Sequence, residues 1–311
     1  MQLLQIIFHQ DCDSCSIEGG SFLYDFIKDF ILPVSLAIIA AYAAFYIFIK
    51  EGKRDKIKED QVQAQEELDK LNYLSFMVQD IISTSEQQSE HILAFVEELK
   101  TNPLDIPLLT FLSINNLRRI TVDLNLEKYL LSYVSHFAED RPKAIKEFNE
   151  IIASIDMLHE IFKSIPEQLI KAVNYDYERK TRIQEIHAKA HNLLGPLTIK
   201  LNATDIKVAN EFGALGNKYM AGFTSSYDLR YFYNEFFIPF NAFATRYLGK
   251  GRPEDPELQE LAILTRDGKQ NFAHAISENE TFRDQFLEDY QRVKDTVESL
   301  KLASVRLRPN F

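Results

Sequence analysis

The chain has 311 residues, 46% of them hydrophobic and 26% charged, with a formal net charge of -11. That balance suits a folded protein and excludes a general duplex-DNA binder, whose affinity comes from basic, phosphate-neutralising surfaces. Ten glycines and ten prolines are few for this length and predict long helices rather than sheets.

Residues 1–29 read as an external tail. Met1–Phe8 (MQLLQIIF) is too short to span a bilayer and too apolar to stay in water, so an amphipathic turn or two on the membrane surface is expected. Gly19–Gly20 gives the tail a flexible joint. The only cysteines, Cys12 and Cys15, stand in a Cys-x-x-Cys pair. Such a pair can be a redox couple, half a zinc site or a small disulfide loop. Zinc needs two further ligands, and a redox enzyme needs a thioredoxin-like domain that this tail is too short to build. A disulfide suits an external tail best.

Residues 30–49, FILPVSLAIIAAYAAFYIFI, hold no charge. At 1.5 Å per residue the stretch reaches about 30 Å, the thickness of a bilayer's hydrocarbon core. Lys50, Lys53, Arg54, Lys56 and Lys58 follow at once, while Asp11, Asp13, Glu18, Asp25 and Asp29 precede it against a single Lys28. Basic flanks stay cytoplasmic, so the tail is expected outside and the rest of the chain inside, in an inner membrane. The long acidic stretch in front argues against a cleavable signal peptide. Within the span, Ser35, Ile39, Tyr42, Tyr46 and Ile49 form one stripe, and Pro33, Ala37, Ala40 and Ala44 form another. Small residues let helices approach closely, which makes the alanine stripe a candidate subunit contact and leaves the Ser/Tyr stripe for a central axis.

Residues 50–100 read as one juxtamembrane helix. It starts charged, with Gly52 as a candidate kink, and then carries a heptad seam at Leu71, Leu74, Val78, Ile81, Ser85, Gln88, Ile92, Phe95 and Leu99. Such spacing predicts packing at a shallow angle against another helix. Two successive polar seam positions, Ser85 and Gln88, suit folding back on the chain's own domain, or a site, better than a simple coiled coil.

Residues 101–311 are expected to form an all-helical cytoplasmic domain. Pro103 and Pro107 break the long helix, and two shorter helices are predicted over Leu108–Thr121 and Leu124–Phe137. Ile145, Phe148, Ile152, Ile155, His159 and Phe162 mark a buried helix. Ser164-Ile-Pro-Glu167 looks like the start of a new helix that runs to about Leu194 and ends at Gly195–Pro196. Gly249–Pro256 is a loop, and Ser277-Glu-Asn-Glu280 is expected to cap a last helix ending near Leu302.

Chemistry-bearing patterns are sparse. His187 and His191 share a helical face at i, i+4, but lack the Glu of a metalloprotease motif and a third ligand. No Walker loop, nucleophile elbow or kinase set is present, so neither an enzyme nor a cofactor is expected. Two glycosylation sequons, at Asn202 and Asn279, fall on the side where that chemistry is absent. The stretch Glu211–Phe240 is the most unusual, with Gly213, Gly216 and Gly222 followed by dense aromatics. Lys218, Tyr227, Arg230, Tyr231 and Arg246 are candidates for a nucleotide or oligonucleotide pocket, since tyrosine faces stack bases and arginines hold phosphates. A helix start at Ser225–Asp228 would add free N–H groups. Aromatic residues at helical spacing are more often core, and that reading stands beside the pocket.

Two function classes follow. One is a homo-oligomeric membrane effector with a gated pore, in which Lys28, Ser35, Tyr42, Tyr46, Lys50, Lys53 and Arg54 line or guard the conduit. The rings of positive charge at its mouths predict an anion preference. Met1–Phe8, joined through Gly19–Gly20, is long enough to fold back over the outer mouth as a plug. The other class is a membrane-tethered scaffold or sensor with no pore. A short external tail, one spanning helix at Phe30–Ile49 and a large helical cytoplasmic part together resemble the single-pass membrane effectors of bacterial anti-phage defence, including the Hailong type. That resemblance implies self-assembly in the lipid bilayer and a channel opened by a nucleotide-derived signal.

Overall fold

A computed structural model describes residues 21–223, 228–249 and 255–307. The expected disulfide at Cys12 and Cys15, the plug at Met1–Phe8 and the side chain of Tyr227 lie outside these residues. The fold is all-α, and no strand occurs among the described residues. Contacts divide the chain into two units, Met1–Leu68 and Asp69–Phe311.

In the first unit, α1 (Ser21–Phe26) passes through a wider π-turn, Ile27–Ile31, into α2 (Leu32–Thr101). The widened turn sits just before Pro33, whose ring removes an N–H donor and crowds the carbonyl four residues back. Through Phe30–Ile49, thirteen large apolar side chains are between 42% and 74% exposed. Burying their free surface is worth on the order of 10–20 kcal/mol at the usual value per side chain. This exceeds the net stability of most domains, so the segment calls for an apolar environment that the described residues do not supply. Among the described residues, one helix is long and apolar enough to cross a membrane, and it is this one.

The second unit opens with the last part of α2, and every seam position from Leu71 to Leu99 is buried, including Ser85 and Gln88. After a non-helical stretch come α3 (Asn115–Arg118), a π-turn at Arg119–Asp123, and α4 (Leu126–His136). Asn125 caps α4 by accepting from the Lys128 N–H. Then α5 (Arg141–Asn192) runs 52 residues, and α6 (Leu194–Thr204), α7 (Ile206–Gly222), α8 (Leu229–Tyr231), a π-turn at Phe232–Phe237 and α9 (Ile238–Leu248) follow. The unit closes with the 48 residues of α10 (Pro256–Ala303). Asp140, Asp205, Asp228 and Asp255 cap α5, α7, α8 and α10 with their carboxylates.

The two longest helices here run antiparallel. Gln168 bonds Asp289 at 3.0 Å, Asp176 bonds Asn279 at 2.9 Å and Arg179 bonds Glu278 at 2.9 Å, so α10 descends as α5 climbs. Two apolar cores form along this pair. One joins the α2 seam and α4 to the first half of α5 and the second half of α10. The other joins α6, α7 and α9 to the remaining halves.

Local signals fail where burial overrules them. Pro166 does not start a helix; it lies inside α5. A proline there costs about 3 kcal/mol. Ile155, Leu158, Ile161 and Ile165, all at most 1% exposed, offset it at about 1.5–3 kcal/mol each. The Ser164 hydroxyl also donates to the Ile161 carbonyl at 2.9 Å, next to the broken ladder. Ser277-Glu-Asn-Glu280 likewise sits within α10, whose true start is Asp255–Pro256. The helix expected from Leu108 begins only at Asn115. The Gln88 side chain holds the intervening segment open, donating to the Thr110 carbonyl at 3.1 Å and accepting from the Leu112 N–H at 2.7 Å.

Candidate functional site

The basic residues of the Glu211–Phe240 region and its flank sit at three separate places. Lys218 bonds Glu235 at 2.7 Å with its side chain 70% exposed. Arg246 pairs with Glu211, which also accepts from the Tyr247 hydroxyl at 2.6 Å. Arg230 donates to Asn102 Oδ1 at 2.6 Å, far away in sequence. Tyr231 stacks on Tyr219 and donates to its carbonyl. Gly213, Gly216 and Gly222 belong to α7 rather than to a phosphate-cradling loop. At Gly222 a Cβ would stand 2.6 Å from the Tyr231 hydroxyl, so the glycine is there to let that tyrosine lie against α7.

His187 and His191 line a cavity of about 240 Å³ with Asn192, Tyr219, Met220 and Phe223. His187 Nε2 lies 2.7 Å from the Tyr219 hydroxyl, and the imidazole stacks flat on Phe232 at 3.8 Å. Burial, and secondarily the neighbouring His191, push the His187 pKa down to about 4, so it is neutral at pH 7. No group of three metal-ligating side chains occurs among the described residues.

A larger cavity, about 420 Å³, lies at the C-terminal end of α2. Thr101, Asn102 and Asp105 come from the end of α2 and the turn after it, Lys180 and Gln184 from α5, and Asp228 and Arg230 from the start of α8. A hydrogen-bonded chain crosses it. Arg230 holds Asn102, Asn102 donates to Asp105 Oδ2 at 2.6 Å, and Lys180 bonds Asp105 at 3.2 Å and Asp176 at 2.8 Å. Burial alone would raise the Asp105 pKa, but the hydrogen bonds from Asn102 and Lys180 outweigh it and hold the carboxyl below its usual value. Of the ligand-binding residues expected from the sequence that lie among the described residues, only Arg230 reaches this cavity. Asn102, Asp105, Lys180 and Gln184 escape a reading of the sequence because three distant segments bring them together; the one local hint is the break at Asn102–Pro107.

In the first unit, Lys28, Ser35, Tyr42, Tyr46, Lys50, Lys53 and Arg54 are all exposed. The Ser35 hydroxyl donates to the Leu32 carbonyl at 2.9 Å, which satisfies it within its own helix. No known protein family, curated protein or solved structure matches the chain.

Proposed function

We propose that the protein is a homo-oligomeric, non-enzymatic membrane effector. A single span at Phe30–Ile49 assembles with its copies around an ion conduit, and a ligand bound to the helical domain controls opening. The observation that carries this is the uncharged, wholly exposed stretch of α2 on the same unbroken helix whose later turns form a buried seam. A helix built this way carries a change at its C-terminal end toward the span. The flanking charges favour an inner-membrane, single-pass orientation with residues 1–29 outside. Lys28 would ring the outer mouth, and Lys50, Lys53 and Arg54 the inner one, which favours anions. The same layout suits the anti-phage effector reading.

Purified protein in detergent and in planar bilayers tests the proposal. Because one span cannot enclose a pore, a discrete oligomer is required, and removal of residues 1–18 is expected to give constitutive anion-preferring conductance. A monomer, or an intact oligomer that never conducts after that truncation, reduces the helix to an anchor.

A further inference from the structure

We propose that the cavity at the end of α2 binds a free zwitterionic amino acid. This rests on the ligand-controlled reading above and names the ligand's chemistry.

Two cations, Lys180 and Arg230, and two acids, Asp105 and Asp228, line a space of about 420 Å³, at the small end for ligand sites. In this structure the four satisfy one another and their neighbours: Lys180 with Asp105, Arg230 with Asn102, and Asp228 with the Tyr231 N–H at 2.9 Å. A simple anion that takes Arg230 or Lys180 is repelled by the Asp105 and Asp228 carboxylates beside them. A simple cation has the converse problem with Arg230 and Lys180. A molecule that carries a carboxylate and an ammonium a few ångströms apart exchanges both partners at once and leaves no charge alone. Thr101 and Gln184 add neutral hydrogen-bonding groups, and Leu104 and Leu229 add apolar surface for a short side chain.

The site also has leverage. Asn102 and Asp105 follow directly on Thr101, the last residue of α2, so a ligand that competes for Arg230 and Lys180 acts on the end of the helix that carries the span.

Titration calorimetry on the full-length protein in detergent tests the proposal. The probes are the twenty free L-amino acids, with acetate, methylammonium, inorganic phosphate and phosphoethanolamine as controls. At least one amino acid is expected to bind, and acetate and methylammonium are not. Arg230→Gln and Asp228→Asn should each weaken that binding about tenfold or more, the loss of one charge-assisted hydrogen bond. Asparagine caps helices as well as aspartate, so Asp228→Asn tests the charge with the start of α8 preserved and the melting temperature unchanged. No amino acid bound by folded protein overturns the proposal. So does tighter binding of phosphate or phosphoethanolamine than of every amino acid, or binding that survives both substitutions. Calorimetry reads binding whether or not the protein conducts, so a silent bilayer recording leaves this result untouched.

Discussion

Ser85 and Gln88 interrupt the buried seam of α2 one turn apart, and replacing them with apolar residues should move stability in opposite directions. Both are fully buried. Gln88 spends its amide on the chain after α2, with bonds of 3.1 Å to Thr110 and 2.7 Å to Leu112. Gln88→Leu removes both, at about 0.5–1.5 kcal/mol each, while the added apolar burial returns roughly 1 kcal/mol. The net loss is about 0–2 kcal/mol, which lowers the melting temperature of a domain this size by up to about 8 °C. Ser85 is different: its hydroxyl finds no hydrogen-bond partner among the described residues. Ser85→Ala keeps nearly the same volume and relieves a buried, unpaired polar group, which should raise stability by about 1 kcal/mol. Thermal unfolding of the two variants in detergent, followed by helical circular dichroism, reads both signs. In a plain coiled coil between sister subunits, leucine at the Gln88 position would stabilise. A raised melting temperature for Gln88→Leu, or a lowered one for Ser85→Ala, refutes the assignment of this seam to the chain's own core.

Three further outcomes are expected. His187 titrates near 6.5 in the unfolded chain and at about 4 when folded, so its share of stability is complete above pH 6.5 and is lost as pH falls toward 4, by at most roughly 3 kcal/mol; His187→Gln should flatten the melting curve's pH dependence in that window, and an unchanged slope would rule the residue out. Gly268→Ala should destabilise by about 1–3 kcal/mol, because its Cβ would meet the Phe237 ring at 2.3 Å, whereas an unhindered helical position would gain about 1 kcal/mol from the same change. Insertion of one residue between Lys50 and Lys70 turns the helix by about 100°, while seven residues restore the phase to within about 20°; ligand-controlled conductance should survive the second and not the first, and equal tolerance of both would remove α2 as the coupling element.

The seam was legible because spacing projects directly onto a helical face: all nine positions from Leu71 to Leu99 that the 3-4 rule selects are buried. Helix boundaries were less so. Ser164–Glu167 and Ser277–Glu280 carry genuine capping chemistry, yet both lie within helices whose apolar faces continue past them. A cap is worth about 1 kcal/mol and an uninterrupted buried face several times that, so the face wins. The partners of the basic side chains were the least legible. Lys218 meets Glu235, Arg246 meets Glu211 and Arg230 meets Asn102, across separations that only the tertiary arrangement sets. A basic residue near glycines and aromatics therefore says little about a free positive surface until its partner is known.

The two stripes of the span cannot both serve the interior of a helix bundle at once. At 100° per residue, Ser35, Tyr42 and Tyr46 fall within about 40° of one another, and Ala37, Ala40 and Ala44 centre roughly 170° away. If the tyrosines faced the axis at rest, the alanines would face lipid, where small side chains gain nothing from close approach. The reverse arrangement uses both. Alanines inward permit a narrow, closed bundle, and Tyr46, one turn from Lys50, sits at the depth where tyrosine rings anchor in headgroups. Ser35 needs no lumen, since its hydroxyl is already bonded to the Leu32 carbonyl. In the proposed channel the closed state would therefore have alanine inside, and opening would turn or splay the helices to bring the Ser/Tyr stripe toward the axis. With Cys12 and Cys15 replaced by serine, Ala40→Cys should cross-link between subunits at rest and Tyr42→Cys should not; the opposite pattern would put tyrosine inside the closed bundle and end the rotation scheme.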